Sequence, residues 1–465
     1  MKLLLIKNEK RRVSIGLVNS VIETGKHGFS ESYDVVVVGG GPSGLRAAEV
    51  AAQQGAKVAV FDAKPSVGRK FLVAGRGGLN LTHAEEVSLF LTRYRSSGDS
   101  AAVQGEVSRL RWDRLFKEFG PSALRDWANG LGVETFSAST GRVYPVEMKA
   151  APLLRRWVER LRSLGVVFRT RHRLADWFGE RPVQIIFQKV PIEETQAGAA
   201  AVGSQRLPSS GPVEVEGRVL IEASAVVLAL GGASWPETGS DGDWVGLMRK
   251  KAVSISPLLP ANCGWEREWS PEVLEVCEGR PLKNVRTSAA GMSIRGELLV
   301  TRYGLEGGAL YALSRALREM SAPVLRIDFK PDSTIQSLVK RLGSARTNLL
   351  SEACQRWRLD KTASLLLESL LPADSVSSPQ AVARAVKEFD LTLLRPRCIA
   401  ESISTAGGLV FSEVDQNLML RSHPGIFVAG EMLDWDAPTG GYLMQGCFAT
   451  GSLAGAAAGR WASEA

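Results

Sequence analysis

Apolar runs and polar breaks alternate along the chain, and the pattern is sharpest over residues 33–63. Val35 to Val38 is an unbroken β-branched run of the kind carried by a strand buried on both faces. The turn Gly39-Gly40-Gly41-Pro42-Ser43-Gly44 follows, and Leu45, Ala48 and Ala52 then recur at helical spacing. Lys57 to Phe61 forms the second strand of this unit. Leu115, Phe119, Leu124, Trp127 and Leu131 give residues 110–131 a helical pattern. "GRVYPVEMKAAPLLRRWVERLRSLG" predicts a proline-marked turn and another helix. Strands are expected near 166–178, 183–190 and 213–223, as a β-meander holding a surface loop rich in Ala, Gly, Ser and Pro from Pro191 to Pro212. "SAVVLALGG" is a further buried strand, broken at Gly231-Gly232. From about 251 to 388 the texture changes: short strands such as 297–301 and 324–329 alternate with Gly-rich turns, and a Leu-rich helical stretch fills 333–388. The last segment, from Gly425 onward, returns to a buried strand, a loop and a helix of small residues.

Length and composition add bounds. With 465 residues, 45% hydrophobic and 23% charged, the chain has the balance of a globular protein with two or three domains. Its five cysteines form no close pair and no CxxC, which fits a reducing, cytoplasmic compartment. The four histidines show no ligand spacing, so no metal is expected. Residues 1–32 read as a polar N-terminal extension, with an apolar start too short for a signal segment or a membrane span. The net charge of +8 makes a polyanion such as ribosomal RNA a candidate partner. Part of that charge is local: Arg155, Arg156, Arg160, Arg162, Arg169, Arg171 and Arg173 stand against Glu159 alone, as a solvated face or an RNA-facing patch.

The chemistry begins at the glycine turn. Gly39 permits the tight turn, Gly41 lets backbone approach a pyrophosphate, and Gly44 lets helix and strand pack closely, with Pro42 and Ser43 between them at the helix start. The helix N-terminus offers free N–H groups to phosphates. Asp62, ending the second strand ahead of Ala63 and Lys64, is placed for ribose hydroxyls and disfavours a 2′-phosphate. A nicotinamide dehydrogenase needs no second dinucleotide-shaped segment nearly four hundred residues later, and this chain has one. Val428 to Glu431, with Gly430 and Glu431 at the strand end, and Thr439-Gly440-Gly441-Tyr442 at the start of a helix, suit a flavin whose reduced ring carries negative charge that a helix N-terminus stabilises. The ligand expected is therefore FAD, with NADH or NADPH as candidate electron donor.

"YDVVVVGGGPSGLRAA", "GRKFLVAGRGGLNLTH", "GRVYPVEMKA", "LALGGASWPETGSDGD", "GELLVTRYGLEGGALYALS" and "STAGGLVF" with the last segment resemble, in order, the BaiN/YhiN-type (RdsA-like) flavoproteins, also labelled aminoacetone oxidase family flavoproteins. The likeness runs from Tyr33 to about Trp461. It implies an α/β fold: a Rossmann-type FAD-binding domain with a β-meander over 33–250 and 389–465, interrupted by an inserted β-barrel plus helical domain over 251–388. It also implies that Arg69, Lys70, Gly75 and Asn80 line the cofactor loop, and that Gly231, Glu431, Gly441 and Tyr442 flank the isoalloxazine and ribityl groups. Leu174 joins the cofactor set on the first meander strand. Two positions depart from the family pattern: Leu79 stands where a cysteine is usual, and Leu443 where asparagine is common.

The resemblance implies an FAD-dependent oxidoreductase that transfers a hydride through flavin N5. It leaves open uridine in ribosomal RNA, a small amine or an enone as substrate, and the alternative of a non-catalytic nucleotide- or RNA-binding protein. Arg142, Tyr144 and Lys149 are the catalytic candidates, with Arg302 and Tyr303 beside them, each equally at home in a structural pair. No membrane segment is expected, and the oligomeric state is unread.

Overall fold

A computed structural model describes residues 31–99, 105–191, 214–215, 217–343 and 348–464. The extension expected over 1–32 and the loop expected over 191–212 lie outside these residues, apart from Glu31, Ser32 and Pro191. The valine run ends β1 (Glu31–Val38), and the glycine turn leads into α1 (Pro42–Gln53) and β2 (Val58–Asp62). A short helix, α2 (Arg69–Ala74), opens the glycine-rich basic loop. Beyond it, β3 (Arg142–Pro145) is the middle strand of a small antiparallel sheet, followed by α3 (Ala150–Ser163). Then come β4 (Val167–Thr170), β5 (His172–Phe178), β6 (Val183–Lys189) and β7 (Arg218–Leu228).

The strand β7 is the pivot of this body. Its first half pairs antiparallel with β6, Leu220 opposite Ile186, and its second half pairs parallel with β1, Val226 opposite Val36. The strand expected at 213–223 and the one expected at "SAVVLALGG" are thus one continuous element. This 11-residue strand joins the antiparallel meander to the parallel strands within one mixed sheet.

The chain then leaves along β8 (Ile255–Ala261). The second body holds β9 (Trp265–Glu266), β10 (Pro281–Ala289), β11 (Met292–Thr301), β12 (Gly304–Glu306), β13 (Val324–Asp328) and β14 (Phe389–Thr392). They are ordered β9-β12-β11-β10-β13-β14, and every pairing is antiparallel. The segment after β14 returns to β9: Glu266 N donates to Arg395 O at 2.8 Å and Leu394 N to Glu266 O at 2.8 Å. Those two bonds and a Trp265–Pro396 bridge bring the ends of the sheet together as a barrel. Four helices, Ile335–Leu342, Leu349–Arg356, Lys361–Leu370 and Pro379–Lys387, account for the Leu-rich stretch. Phe389, Leu391 and Leu393, expected in the returning segment, are buried in this second core, so its barrel extends past residue 388. Their period-two burial is the reason: β14 needs an apolar face toward the barrel.

The return strand β15 (Ser404–Leu409) pairs antiparallel with β8, and β16 (Ile426–Val428) adds parallel to β7, Val227 opposite Phe427. The last helix, α4 (Tyr442–Ser463), packs on α1: a methyl group on Gly451 would lie 2.4 Å from Ser43 O, and one on Gly455 2.4 Å from Ala47 O. Small residues thus serve a close helix-to-helix contact, and the same helix also packs on β7 and β1.

A buried carboxylate ties α1 to its surroundings. Glu49 is fully buried and accepts from Trp127 Nε1 at 2.9 Å, Trp157 Nε1 at 3.0 Å, Arg46 NH1 at 3.0 Å and Arg160 NH1 at 3.0 Å. It thereby absorbs one arginine of the basic stretch. Others are also committed inward: Arg156 donates to the Leu131 and Gly132 carbonyls, Arg169 pairs with Glu31, and Arg173 pairs with Asp241 at 2.9 Å and Asp243 at 3.0 Å. Of the two readings of this stretch, the structure gives most of its charge intramolecular work.

Candidate active site

The C-terminal ends of β1, β2, β7 and β16 open into one cleft of about 440 Å³. The glycine turn forms its floor. A methyl group on Gly44 would lie 1.9 Å from Gly39 O, and Gly39, at φ +105°, would place one 2.2 Å from Ala229 O. Gly41 is different: nothing lies within 4 Å of the position its methyl group would take. Two glycines are thus required by packing, and one by open space. Behind that space α1 starts without a side-chain cap, so its first amides keep free donor capacity.

Both ends of the first body meet here. From the N-terminal side Gly39, Gly41, Pro42, Ser43, Asp62, Ala63, Arg69 and Lys70 line the cleft. Leu174 and Gly231 come from the meander and from the end of β7. From the C-terminal side come Glu431, Trp435, Leu443, Met444 and Cys447. The other expected residues stand behind these walls. Gly44 packs on Gly39, and the Lys64 stem packs on Gly239. Gly75 faces the Ala150 methyl, and Gly430 faces Ser43. Gly440 and Gly441 start α4, with Gly441 pressed on the Thr82 backbone. Asn80 keeps a buried Oδ1 with no hydrogen-bond partner, as Arg69 does at Nε.

The Tyr442 side chain is not among the cleft's lining residues. Its hydroxyl donates to Glu85 Oε1 at 2.7 Å and its ring stacks on His83 at 5.2 Å, inside an aromatic cluster with Phe90 and Tyr94. Its physical role is to hold the start of α4, since Tyr94 Oη also donates to the Tyr442 carbonyl at 2.7 Å.

The charges in the cleft are organised by backbone. Asp62 accepts from Gly40 N at 2.8 Å and Lys64 N at 2.7 Å, and burial pushes its carboxyl above the ordinary value despite both bonds. Lys70 crosses the cleft: its Nζ lies 2.7 Å from Glu431 Oε2 and 2.6 Å from Ser234 Oγ. Glu431 Oε1 in turn accepts from Thr405 N at 2.9 Å. Burial, then the Glu431 charge, pushes the Cys447 thiol up to about 12, so it stays protonated and takes a packing part. Ser234, Thr405, Ser240, Trp244 and Trp435 had no place in the expected set. The first, third and fourth follow the break in "LALGGASWPETGSDGDW", where polar residues directly after a buried strand were the available signal.

The catalytic candidates lie outside the walls. Arg142 and Tyr144 are on β3, and Lys149 is exposed just before α3. The hairpin abuts the cofactor loop: Met148 and the Tyr144 ring border Gly78, and Arg142 Nε approaches to 3.8 Å from a methyl position on Gly440. Arg302 and Tyr303 are in the second body, where Arg302 pairs with Glu278 at 3.0 Å and Tyr303 with Glu306. Among the described residues no group of three His, Cys, Asp or Glu side chains is arranged to hold a metal ion, and no helix is long and apolar enough to cross a membrane.

An open glycine, an uncapped helix start, two carboxylates and orphaned Asn80 and Arg69 atoms fit a dinucleotide whose pyrophosphate meets α1. The comparisons with known proteins agree. A fumarate reductase, the open conformation of flavocytochrome c3, superposes over 96% of this chain and 81% of its own with a TM-score of 0.50 at 15% identity, a likeness of fold. The chain is 26% identical over 453 residues to 3-dehydro-bile acid delta(4,6)-reductase of Clostridium scindens, covering 91% of this chain and 98% of that protein. It is 22% identical over 432 residues to the ribosomal RNA dihydrouridine synthase of Escherichia coli, covering 89% and 95%. The HI0933-like protein Rossmann domain matches residues 33–215 and 209–457, and the chain therefore belongs to the HI0933-like family of FAD-dependent oxidoreductases.

Proposed function

We propose that this enzyme saturates a ring carbon–carbon double bond conjugated to a carbonyl, in a pyrimidine of ribosomal RNA or in a steroid-like enone. Two relatives that each span most of the chain support the shared chemistry, for a delta(4,6)-reductase and a dihydrouridine synthase are both named for it. The single structural observation behind it is the common cleft joining Gly41 to the first turns of α4. FAD bound there supplies hydride from its N5. The free amides at the start of α1 would hold the pyrophosphate, Asp62 and Glu431 the hydroxyls, and Lys70 would balance the Glu431 charge. Small amines remain the weaker substrate class, since neither relative's name carries that chemistry. NADH or NADPH serves as electron donor in this reading, and five unpaired cysteines favour a reducing compartment such as the cytoplasm.

Saturation also needs a proton at the neighbouring carbon. The Tyr144 hydroxyl is our candidate donor, with Arg142 and Lys149 orienting the substrate carbonyl. Tyr144→Phe is expected to lower kcat by roughly a hundredfold or more with little change in KM. Equal kcat in stopped-flow oxidation of the reduced enzyme would remove Tyr144 from the reaction.

The purified protein should be yellow and should bleach anaerobically with NADH or NADPH. Mass spectrometry of ribosomal RNA nucleosides from a deletion strain then divides the substrates: a missing dihydrouridine assigns RNA, and intact RNA with turnover of a conjugated steroid ketone assigns the enone. Bleached enzyme that neither substrate reoxidises would overturn the ring-reductase reading.

A further inference from the structure

The second body has a concavity of its own, made of groups the cleft does not use. Arg267, Trp269, Arg302, Tyr303, Arg395 and Arg397 line it, with Glu266 and Glu268. Three of its arginines have carboxylate partners: Arg302 pairs with Glu278 at 3.0 Å, Arg395 with Glu266 at 2.7 Å, and Arg397 with Glu266 at 3.1 Å and Glu401 at 2.7 Å. Arg267 has none among the described residues. Its NH1 donates to Thr392 O at 2.7 Å, while its buried Nε has no partner. Burial, with no acid to offset it, pushes this guanidinium below its ordinary value. A half-buried cation whose contacts in a concave site are a carbonyl and a ring, with no carboxylate among the described residues, has incurred desolvation that an anionic ligand would offset.

The rings beside it are already faced by cations. The Arg267 guanidinium lies 5.4 Å from the Trp269 ring centroid, and that of Arg397 lies 4.4 Å from the Tyr303 centroid. A guanidinium beside a ring keeps N–H donors available for an oxyanion that enters the concavity. A phosphate group, with non-bridging oxygens facing in different directions, accepts several such forks at once.

We propose that this concavity is a phosphate-binding site centred on Arg267, taking either a phosphodiester of RNA or the pyrophosphate of a nicotinamide dinucleotide. It stands whether the reduced ring belongs to RNA or to a steroid, so it survives or fails separately from the ring-reductase reading.

The test uses the FAD-loaded full chain. Binding of a labelled single-stranded oligoribonucleotide is followed by anisotropy, and binding of NADPH by calorimetry, for the natural protein and for Arg267→Gln and Arg302→Gln. Arg302 is 78% exposed at its side chain, so its variant keeps the fold even if Arg267→Gln does not. Loss of one charge-assisted contact should weaken the true ligand about tenfold while flavin content stays unchanged. If RNA is the source, the slope of log K against log salt also becomes shallower by about 0.7 per lost phosphate contact. If the dinucleotide is the source, only NADPH binding weakens. Unchanged affinity for both ligands in both variants, or no measurable binding of either to the natural protein, overturns the proposal.

Discussion

In the first body the turn glycines divide between packing and vacancy, whereas in the barrel their close approaches serve pairing. Gly44 and Gly39 face backbone oxygens closely enough to forbid any side chain, yet Gly41 between them faces nothing. In the barrel, methyl groups on Gly304 and Gly307 would meet Trp265 O at 2.1 Å and Glu297 O at 2.6 Å, so these residues bring β12 against its neighbours. Open space alone marks nothing, but at Gly41 it coincides with the cleft lining and an uncapped helix start, which is where a ligand can approach backbone. In the barrel Gly279, Gly291 and Gly308 also have nothing within 4 Å, but none of them lines a cleft, and the candidate ligand site there is built from side chains instead.

Breaking the buried carboxylate of the first body should have the largest effect. Glu49→Ala strands two indole N–H groups and removes the counter-charge of Arg46 and Arg160, and a loss of about 3–5 kcal/mol is expected in chemical denaturation. In the second body, Leu366→Ala removes a fully buried helix side chain and should cost about 2–5 kcal/mol while leaving flavin content per folded molecule intact. Loss of flavin with this mutation would show that the two bodies are less separable than their cores suggest.

The glycine pair sharpens the contrast. Gly44→Ala should cost about 1–3 kcal/mol or more, because its neighbour is rigid backbone. Gly41→Val should leave the melting temperature of the apoprotein nearly unchanged and abolish tight FAD binding, measured by flavin fluorescence. Equal destabilisation by both would remove the distinction between packing and vacancy.

The smallest effect concerns pH. The folded Asp62 carboxyl sits above its unfolded value, so its charged form opposes folding at neutral pH. That penalty fades as pH falls through the folded pKa toward the unfolded one. Asp62→Asn should therefore flatten the thermal stability of the apoprotein between about pH 7 and about pH 4 relative to the natural chain. An unchanged pH slope would mean that the two backbone amides fully compensate burial.

Much of the first body could be read along the chain because its requirements are local. A four-valine strand, a glycine spacing and an acid at the next strand end constrain one another within thirty residues. The barrel was harder to read. The strand Pro281–Ala289 has a charged, partly exposed pattern interrupted by a bulge between Leu282 and Val285, which hides its period. Tyr442 illustrates the same limit inside the site. A tyrosine after two glycines at a helix start does not say what its ring packs on, which here is decided by His83, Glu85 and Tyr94, all far away in sequence.

By itself the sequence determined the nucleotide-binding turn, the two-part first body and the flavin, because strand burial, tight turns and phosphate approach each demand particular residues at short spacing. Only the tertiary structure decided that β7 is one strand joining the parallel and antiparallel parts of a single sheet, that residues after Thr392 pair back to β9, that Lys70 reaches Glu431 across the cleft, and that Arg267 has no acid partner among the described residues. Those outcomes depend on which distant segments meet, and no local pattern carries that information.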